Sequence, residues 1–600
     1  MSPREIVWRM SQKALQINEK RRFGKPRAVT EPLYPGVSAD SFSTLPLGLT
    51  AGTGGRDTST FIRLPGGFPY ARYATDWHAG FNTDARWPLT WAYDLDYKQC
   101  DEIGDARINW ELNRHRQFVR LAMAYASTGD AEFLDTLSAQ FTDWVEANPF
   151  LIGISWTSPM EIAIRSLSWM YTVAFLRQGR REARVDTLTA ALLTGVANMT
   201  AYLLKHYSRY SSANNHLLVE MLAIGTAGLC FGRDEWSALA LETLDRELYL
   251  QNSPDGVNLE MSLHYHAFVM EVYLLMIHSL RTIGRREPSG WTDMLGKMAS
   301  FVAHSIVADG VTCAFGDDDE GHIADFSTGS FDYYRYILQL SSLILGRRYD
   351  AFDNVSPTLT HMFAAADIER MHTMPLYDTS AGQTFAEGGY SFLRSPGGSV
   401  FVGVDHAPLG FGSIAAHGHA DALSFQLYAD GKPLLIDPGT YIYHINLDMR
   451  NAFRSTLNHN TLTINDVEQS QMLGAFLWGE KAVTELLEAA PDSVTARVTG
   501  LSGIGHTRTV RLKGDDGIIV TDRLDEPCPW IATLMVHPGV EVKVNASRVT
   551  LDGRFEIRSS AGRMKVEKGI YSPAYGVMCD TPAIRIYGDG TDNTIEITRI

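Results

Sequence analysis

Residues 423–437 read Leu-Ser-Phe-Gln-Leu-Tyr-Ala-Asp-Gly-Lys-Pro-Leu-Leu-Ile-Asp. Leu423, Phe425 and Leu427 alternate with Ser424 and Gln426, the period of a strand with one face buried. Asp430-Gly431 is a turn pair, and the apolar run that follows completes a hairpin pattern. The same short strands recur on both sides. They include Ser399–His406 (SVFVGVDH), Asn460–Gln469 (NTLTINDVEQ), Val494–Leu501 (VTARVTGL), Thr507–Leu524, Val540–Gly553 and Asn593–Ile600. Asp515-Asp516-Gly517 and Asp552-Gly553 punctuate them. Several short strands at this spacing predict an antiparallel β-sandwich.

Upstream the period changes. From about Ile103 to Met371 the chain reads as successive helices, as in Leu134, Leu137, Phe141 and Trp144. Ser158-Pro159-Met160-Glu161 has the form of a helix start: a capping serine, a first-turn proline and a glutamate at the capping-box position. Helices are predicted over roughly 185–206, 215–230, 235–249, 262–283 and 331–345. Helices followed by strands predict two separate domains. The expected division is an irregular N-terminal extension with some helix (1–100), a helical domain (101–375) and a β domain (376–600).

The composition bounds the function. At 600 residues the chain exceeds one ordinary core. The net charge of −16 argues against general nucleic-acid binding. It leaves room for a polyanionic sugar in a local basic cleft. Five scattered cysteines without a CxxC pair give neither a disulfide framework nor a cysteine zinc site. No run approaches a membrane span of ~18–20 apolar residues. The first residues lack a signal peptide's apolar core, so the chain is expected to be cytoplasmic as written, or periplasmic or secreted if a signal has been removed. The sequence does not set the oligomeric state; a homodimer is one option.

Several segments carry chemistry. His417-Gly418-His419 would place both imidazoles on one side of a strand. His419, Asp437 and His459 suit a divalent ion, zinc best; the other reading is three separately hydrogen-bonded residues near a sheet edge. Asn214-Asn215-His216 precedes a helix, where an amide is ordinarily a cap. His264-Tyr265-His266 places a phenol at a helix start, as a proton donor or a buried aromatic. Asp317-Asp318-Asp319-Glu320 offers a cation site, the acid pair of a glycoside hydrolase or a solvated acidic turn. Trp156, Glu161 and Arg165 are candidates to line a groove; Glu161 also has its capping explanation, and Arg165 can pair with it at i, i+4.

These residues together resemble the heparinase II/III-like polysaccharide lyases, a superfamily that includes alginate lyases. The resemblance rests on His417–Tyr443, on Arg454–Ser470, on Asn214–Leu218 and on Glu260–His266. It implies an N-terminal α/α toroid, an incomplete helical barrel, followed by an antiparallel β-sandwich. It also implies β-elimination at a uronic acid in an acidic polysaccharide or oligosaccharide, with no organic cofactor. By similarity Asn215 meets the substrate carboxylate, and His216 helps neutralise it or acts as base. Tyr265 protonates the departing O4 and is also a candidate base, and His417 is a second neutraliser or base. His419, Asp437 and His459 match the bound-metal positions. Trp156, Glu161, Arg165, His266, Tyr441 and Arg454 are expected to touch substrate, as is Tyr443. Sparse basic runs favour a carboxylated, lightly sulfated or unsulfated glycan: an exopolysaccharide, alginate, hyaluronan or a chondroitin-like chain. The alternatives are a hydrolase using the 317–320 carboxylates and a non-catalytic glycan-binding protein on the same fold.

Overall fold

The structure, a computed structural model, describes residues 3–34, 41–51, 64–65, 76–81, 83–98, 101–327, 331–545, 548–560 and 563–600. Its N-terminal part is helical: α1 (Pro3–Phe23), α2 (Ala106–Asn113), α3 (Arg116–Thr128), α4 (Ala131–Ala147), α5 (Pro159–Leu176), α6 (Ala183–His206), α7 (Asn215–Phe231), α8 (Asp234–Leu250), α9 (Leu263–Thr282), α10 (Trp291–Ser305) and α11 (Tyr333–Leu345). Two short helices follow, α12 (Pro357–Thr360) and α13 (Ala365–Thr373).

The packing follows a simple rule. Helices α3, α5, α7, α9 and α11 each touch the next in that series, while α4, α6, α8 and α10 pair with their chain neighbours on the outside. This is an open α/α toroid with an inner and an outer layer. Inner helices must be apolar all round. Accordingly α5, α7 and α9 bury nearly every residue. At Gly228 of α7 an added Cβ would stand 2.6 Å from the Ser237 nitrogen of α8, so the tight α7–α8 approach requires glycine. Helix α6 is long and apolar enough to cross a membrane by length and composition, contrary to the sequence reading, but 67% of that stretch is buried. It packs on α5 and α7. Ser158 precedes α5 without capping it through its side chain, and Pro159 opens the helix as expected.

The β part begins at Gln383. One layer holds a five-stranded antiparallel sheet in chain order, from Gln383–Phe385 to Lys432–Leu435. A Leu435–Val536 bridge connects it to a four-stranded sheet containing Leu462–Ile464 and Trp530–Met535. An eight-stranded sheet faces them, and Val402, Val404 and Leu427 share a core with Val510, Val520 and Ile597. The two layers make the antiparallel β-sandwich. The strand Val400–Asp405 is buried on both faces, which is why its sequence runs nearly apolar throughout. Val402 faces the sandwich core, and Phe401 faces the helices. Phe301 of α10 lies 5.0 Å from Phe385 and 5.6 Å from both Tyr390 and Phe392, ring centre to centre. This aromatic seam holds the first sheet of the sandwich against the toroid.

Candidate active site

The helical wall of the site is built from two helix starts. Asn214 caps α7, its side-chain oxygen accepting from the His216 backbone N–H at 3.3 Å. Ser262 caps α9 by accepting from the Tyr265 N–H at 3.1 Å, so Tyr265 stands in the first turn of α9. Glu260 ties the two starts together. It accepts from Asn215 Nδ2 at 2.7 Å, from the Asn215 N–H at 3.0 Å and from Asn214 Nδ2 at 3.2 Å. Asn215 Oδ1 is buried without a partner. Burial raises the Glu260 carboxyl above its ordinary range. Burial, and then the neighbouring His417, push His216 down to about 4, so it is a neutral imidazole at neutral pH.

The opposite wall is the loop after the Val400–Asp405 strand. His417 and His419 lie in this loop, not on a strand as their spacing suggests. They nevertheless turn to one acceptor, Asp317. His417 Nδ1 is 3.1 Å from Asp317 Oδ2, and His419 Nε2 is 3.1 Å from Asp317 Oδ1. Arg450 of α14 (Leu447–Phe453) grips both oxygens at 2.6 Å. Burial opposes charge on Asp317, but Arg450 and the two imidazoles outweigh it and hold the carboxyl well below its usual range. The Tyr265 ring stacks on His417 with centroids 3.6 Å apart. Its hydroxyl meets that of Tyr443 at 3.2 Å. Burial, with the charges of Asp319 and Asp317 adding, drives the Tyr265 phenol well above its usual range.

Asn214, His216, Tyr265, His417 and Tyr443 line a cleft of about 170 Å³ together with Lys98, Trp110, Glu161, Asp319, His444 and Phe476, while Asn215, Glu260, Asp317 and Arg450 are buried and do not line it. Two neighbouring cavities, of about 530 and 910 Å³, share Ile414 with it, so the groove is extended. Behind His417, the ligating atoms of His419, Asp421, Asp437 and His459 lie within 4.8 Å of one another. His459 Nδ1 donates to the Ser455 carbonyl at 2.7 Å. His419 Nε2 is engaged by Asp317. The remaining nitrogens, His419 Nδ1 and His459 Nε2, face each other at 3.1 Å. Two nitrogens bound to one tetrahedral zinc at ~2.0–2.1 Å would stand ~3.3 Å apart. The donor set and its outer partners therefore fit a divalent ion.

Residues 73–335 match the family described as Heparinase II/III N-terminus, and residues 378–598 match Heparinase II/III-like, C-terminal. The chain belongs to the heparinase II/III-like family. Among curated relatives it is 24% identical over 453 residues to a heparin-sulfate lyase of Bacteroides thetaiotaomicron, covering 68% of this chain and 59% of that protein. It is 22% identical over 384 residues to a heparin-sulfate lyase of Pedobacter heparinus, covering 61% and 53%. The chain thus spans less than two thirds of the length of these relatives. A crystal structure of heparinase III superimposes with a TM-score of 0.68 at 17% identity, covering 94% of this chain and 88% of that one.

Not every expected residue faces the cleft. Trp156 and Arg165 are fully buried; Arg165 donates to the Asn113 and Ser155 carbonyls at 2.7 and 2.9 Å and lies over Trp144 and Trp156. Neither contacts the groove, and Arg165 does not pair with Glu161. Glu161 lines the cleft, but its carboxylate is held by Arg114 through two 2.7 Å bonds and does not close a capping box. His266 is a core residue: Nδ1 accepts from the Asn258 N–H at 3.1 Å and Nε2 donates to the Met298 carbonyl at 3.0 Å. Tyr441 packs on Phe453. Arg454 is buried, donates to the Ala475 carbonyl at 3.2 Å and braces the hairpin that carries Phe476.

The 317–320 carboxylates are not a free acid pair: Asp317 is gripped by Arg450, and Asp319 by Arg107 and His264. Sequence reasoning missed Arg450, Asp421, Phe476 and the bridging role of Asp317. Asp421 had a signal, standing two residues after His419; the others had none.

Proposed function

We propose that this protein is a polysaccharide lyase that cleaves a 4-linked uronate by β-elimination. The observation that carries the reading is the convergence of Tyr265 and His417 in one cleft, a protonated phenol stacked on an imidazole with its Nδ1 already engaged. His417 Nε2 takes the C5 proton. Tyr265 gives its hydroxyl proton to O4. The C5–H and C4–O4 bonds break and a C4=C5 double bond forms. The proton on His417 then returns to the Tyr265 phenolate through solvent. The raised pKa of Tyr265 favours the acid role over the base role for this residue, because a phenol that holds its proton donates it only to a developing alkoxide. His216 lines the cleft and would meet the carboxylate end, where charge develops as C5 loses its proton; Asn215 is buried behind it with its amide N–H on Glu260.

The cleft chemistry favours a carboxylated glycan of low sulfation. Among the described residues lining the three cavities the arginines and lysines are Arg9, Lys98 and Arg107. Arg9 is paired with Glu5, and Arg107 with Glu111 and Asp319. Densely sulfated chains call for more unpaired cations than this groove offers. The named relatives act on heparin sulfate, which supports a glycosaminoglycan as the first class to try. A divalent ion, best zinc, would be held by His419, Asp421, Asp437 and His459. It would supply fixed positive charge and a cross-link between the loop and the sheet.

The test is a panel of uronate polysaccharides followed by the ultraviolet absorbance of the conjugated double bond. A rise with one substrate identifies the sugar. New reducing ends without absorbance would replace elimination by hydrolysis, and binding without either product would favour a glycan-binding protein.

A further inference from the structure

We infer that Asp317 is a positioning residue shared by two imidazoles, fixing His417 for the chemistry and His419 for the ion with one oxygen each. This rests on the proposed elimination and adds to it the group that selects the working nitrogen. Both Asp317 oxygens accept from the Arg450 guanidinium, so each imidazole nitrogen facing them is a donor. His417 therefore carries its proton on Nδ1, and His419 carries its own on Nε2. The free nitrogens are the opposite ones: Nε2 of His417, 3.8 Å from Glu260, and Nδ1 of His419, facing His459. Two histidines two residues apart thus present different nitrogens because they share one acceptor.

The acceptor itself is immobile. Its backbone N–H donates to the His417 carbonyl at 3.0 Å, Thr440 Oγ1 donates to its carboxylate at 3.3 Å, and Arg450 holds both oxygens. Arg450 also donates through Nε to the Ala475 carbonyl at 3.1 Å, in the hairpin that sets Phe476 against His417. With both oxygens engaged, Asp317 has no capacity left to act on substrate directly. An asparagine there keeps the volume but offers one acceptor oxygen for two imidazole donors. One ring must then turn or change tautomer.

The experiment uses the full chain with ¹⁵N-labelled histidine, His417 being assigned by its loss in His417→Gln. In the unaltered protein the proton of His417 is expected on Nδ1. A proton on Nε2 would overturn the proposal, whatever the variants do. In Asp317→Asn the His417 signal is expected to lose its Nδ1–H form, and kcat to fall by on the order of 10²–10⁴-fold with KM within about threefold. Bound divalent metal, read by elemental analysis against a competing chelator, weakens about 10–100-fold. A folded Asp317→Asn with His417 unchanged and full turnover would overturn the assignment. If that variant does not fold, the measurement on the unaltered protein decides alone. Failure of the elimination reading shows separately, as no unsaturated product from the unaltered protein, and leaves the tautomer result standing.

Discussion

The stretch from Trp156 to Arg165 and the stretch from His417 to His459 both carry side chains suited to binding a charged sugar. The first sends Trp156 and Arg165 into the core; the second gathers His419, Asp437 and His459 into one cluster and ties His417 to it through Asp317. Helix α5 is an inner helix, buried on every side, so a guanidinium there must satisfy itself on nearby carbonyls. His417 and His419 lie in a loop beyond a strand end, where polar groups from distant segments can converge. Both stretches carry side chains with polar atoms that must find partners. What differs is whether the partners of the polar atom are backbone carbonyls of the core or other titratable groups facing a cavity.

The contrast is broken most directly at its catalytic end. Tyr265→Phe keeps the stack on His417 and removes the proton that the proposed elimination gives to O4. Turnover is expected to fall by about 10³-fold with KM little changed. Steady-state kinetics with near-normal kcat would remove Tyr265 from the acid role.

One step away, His459→Ala removes one of the two facing nitrogens. Bound metal should drop by more than about tenfold in affinity, and the melting temperature by ~5 °C or more. Elemental analysis that still gives one ion per chain would contradict the donor set. On the helical side, Arg165→Met strands the Asn113 and Ser155 carbonyls and is expected to cost about 2–4 kcal/mol of stability. The kcat of the folded fraction should stay within about twofold. A selective rise in KM would instead return Arg165 to the cleft and dissolve the contrast.

The fold was legible because it is written in period. The shift from helical spacing to alternation falls between Thr373, the end of α13, and Gln383, the first strand residue of the sandwich. The ring was not, since helical hairpins that touch only neighbours leave no sequence repeat; it came from the family resemblance. At the site, Asn215, His216, Tyr265 and His417 were readable as a set only through that resemblance. Asp317 was readable as an acid but not as a hub, because its partners His417, Thr440 and Arg450 are 100, 123 and 133 residues away. Nor does spacing tell a cleft histidine from a core one, as His216 and His266 demonstrate.

Those two histidines give the smallest and sharpest comparison. Both are pushed from 6.5 to about 4, chiefly by burial. A histidine with its folded pKa below the unfolded value binds fewer protons in the folded state, so stability rises with pH across the interval. The contribution is intact above about 6.5 and is lost as pH falls toward 4. For the core residue His266 this amounts to roughly 2 kcal/mol by pH 5. A glutamine side chain in its place can reproduce both bonds, its carbonyl accepting from the Asn258 N–H and its amide donating to the Met298 carbonyl. His266→Gln should therefore flatten the acid limb of a stability profile, measured by denaturant unfolding from pH 7 to 5, and leave turnover at pH 7 unchanged. His216→Gln should lower kcat at pH 7 instead, since the lost imidazole faces the groove. Equal effects of the two substitutions on turnover would mean that burial and hydrogen bonding do not separate the wall of this cleft from the core behind it.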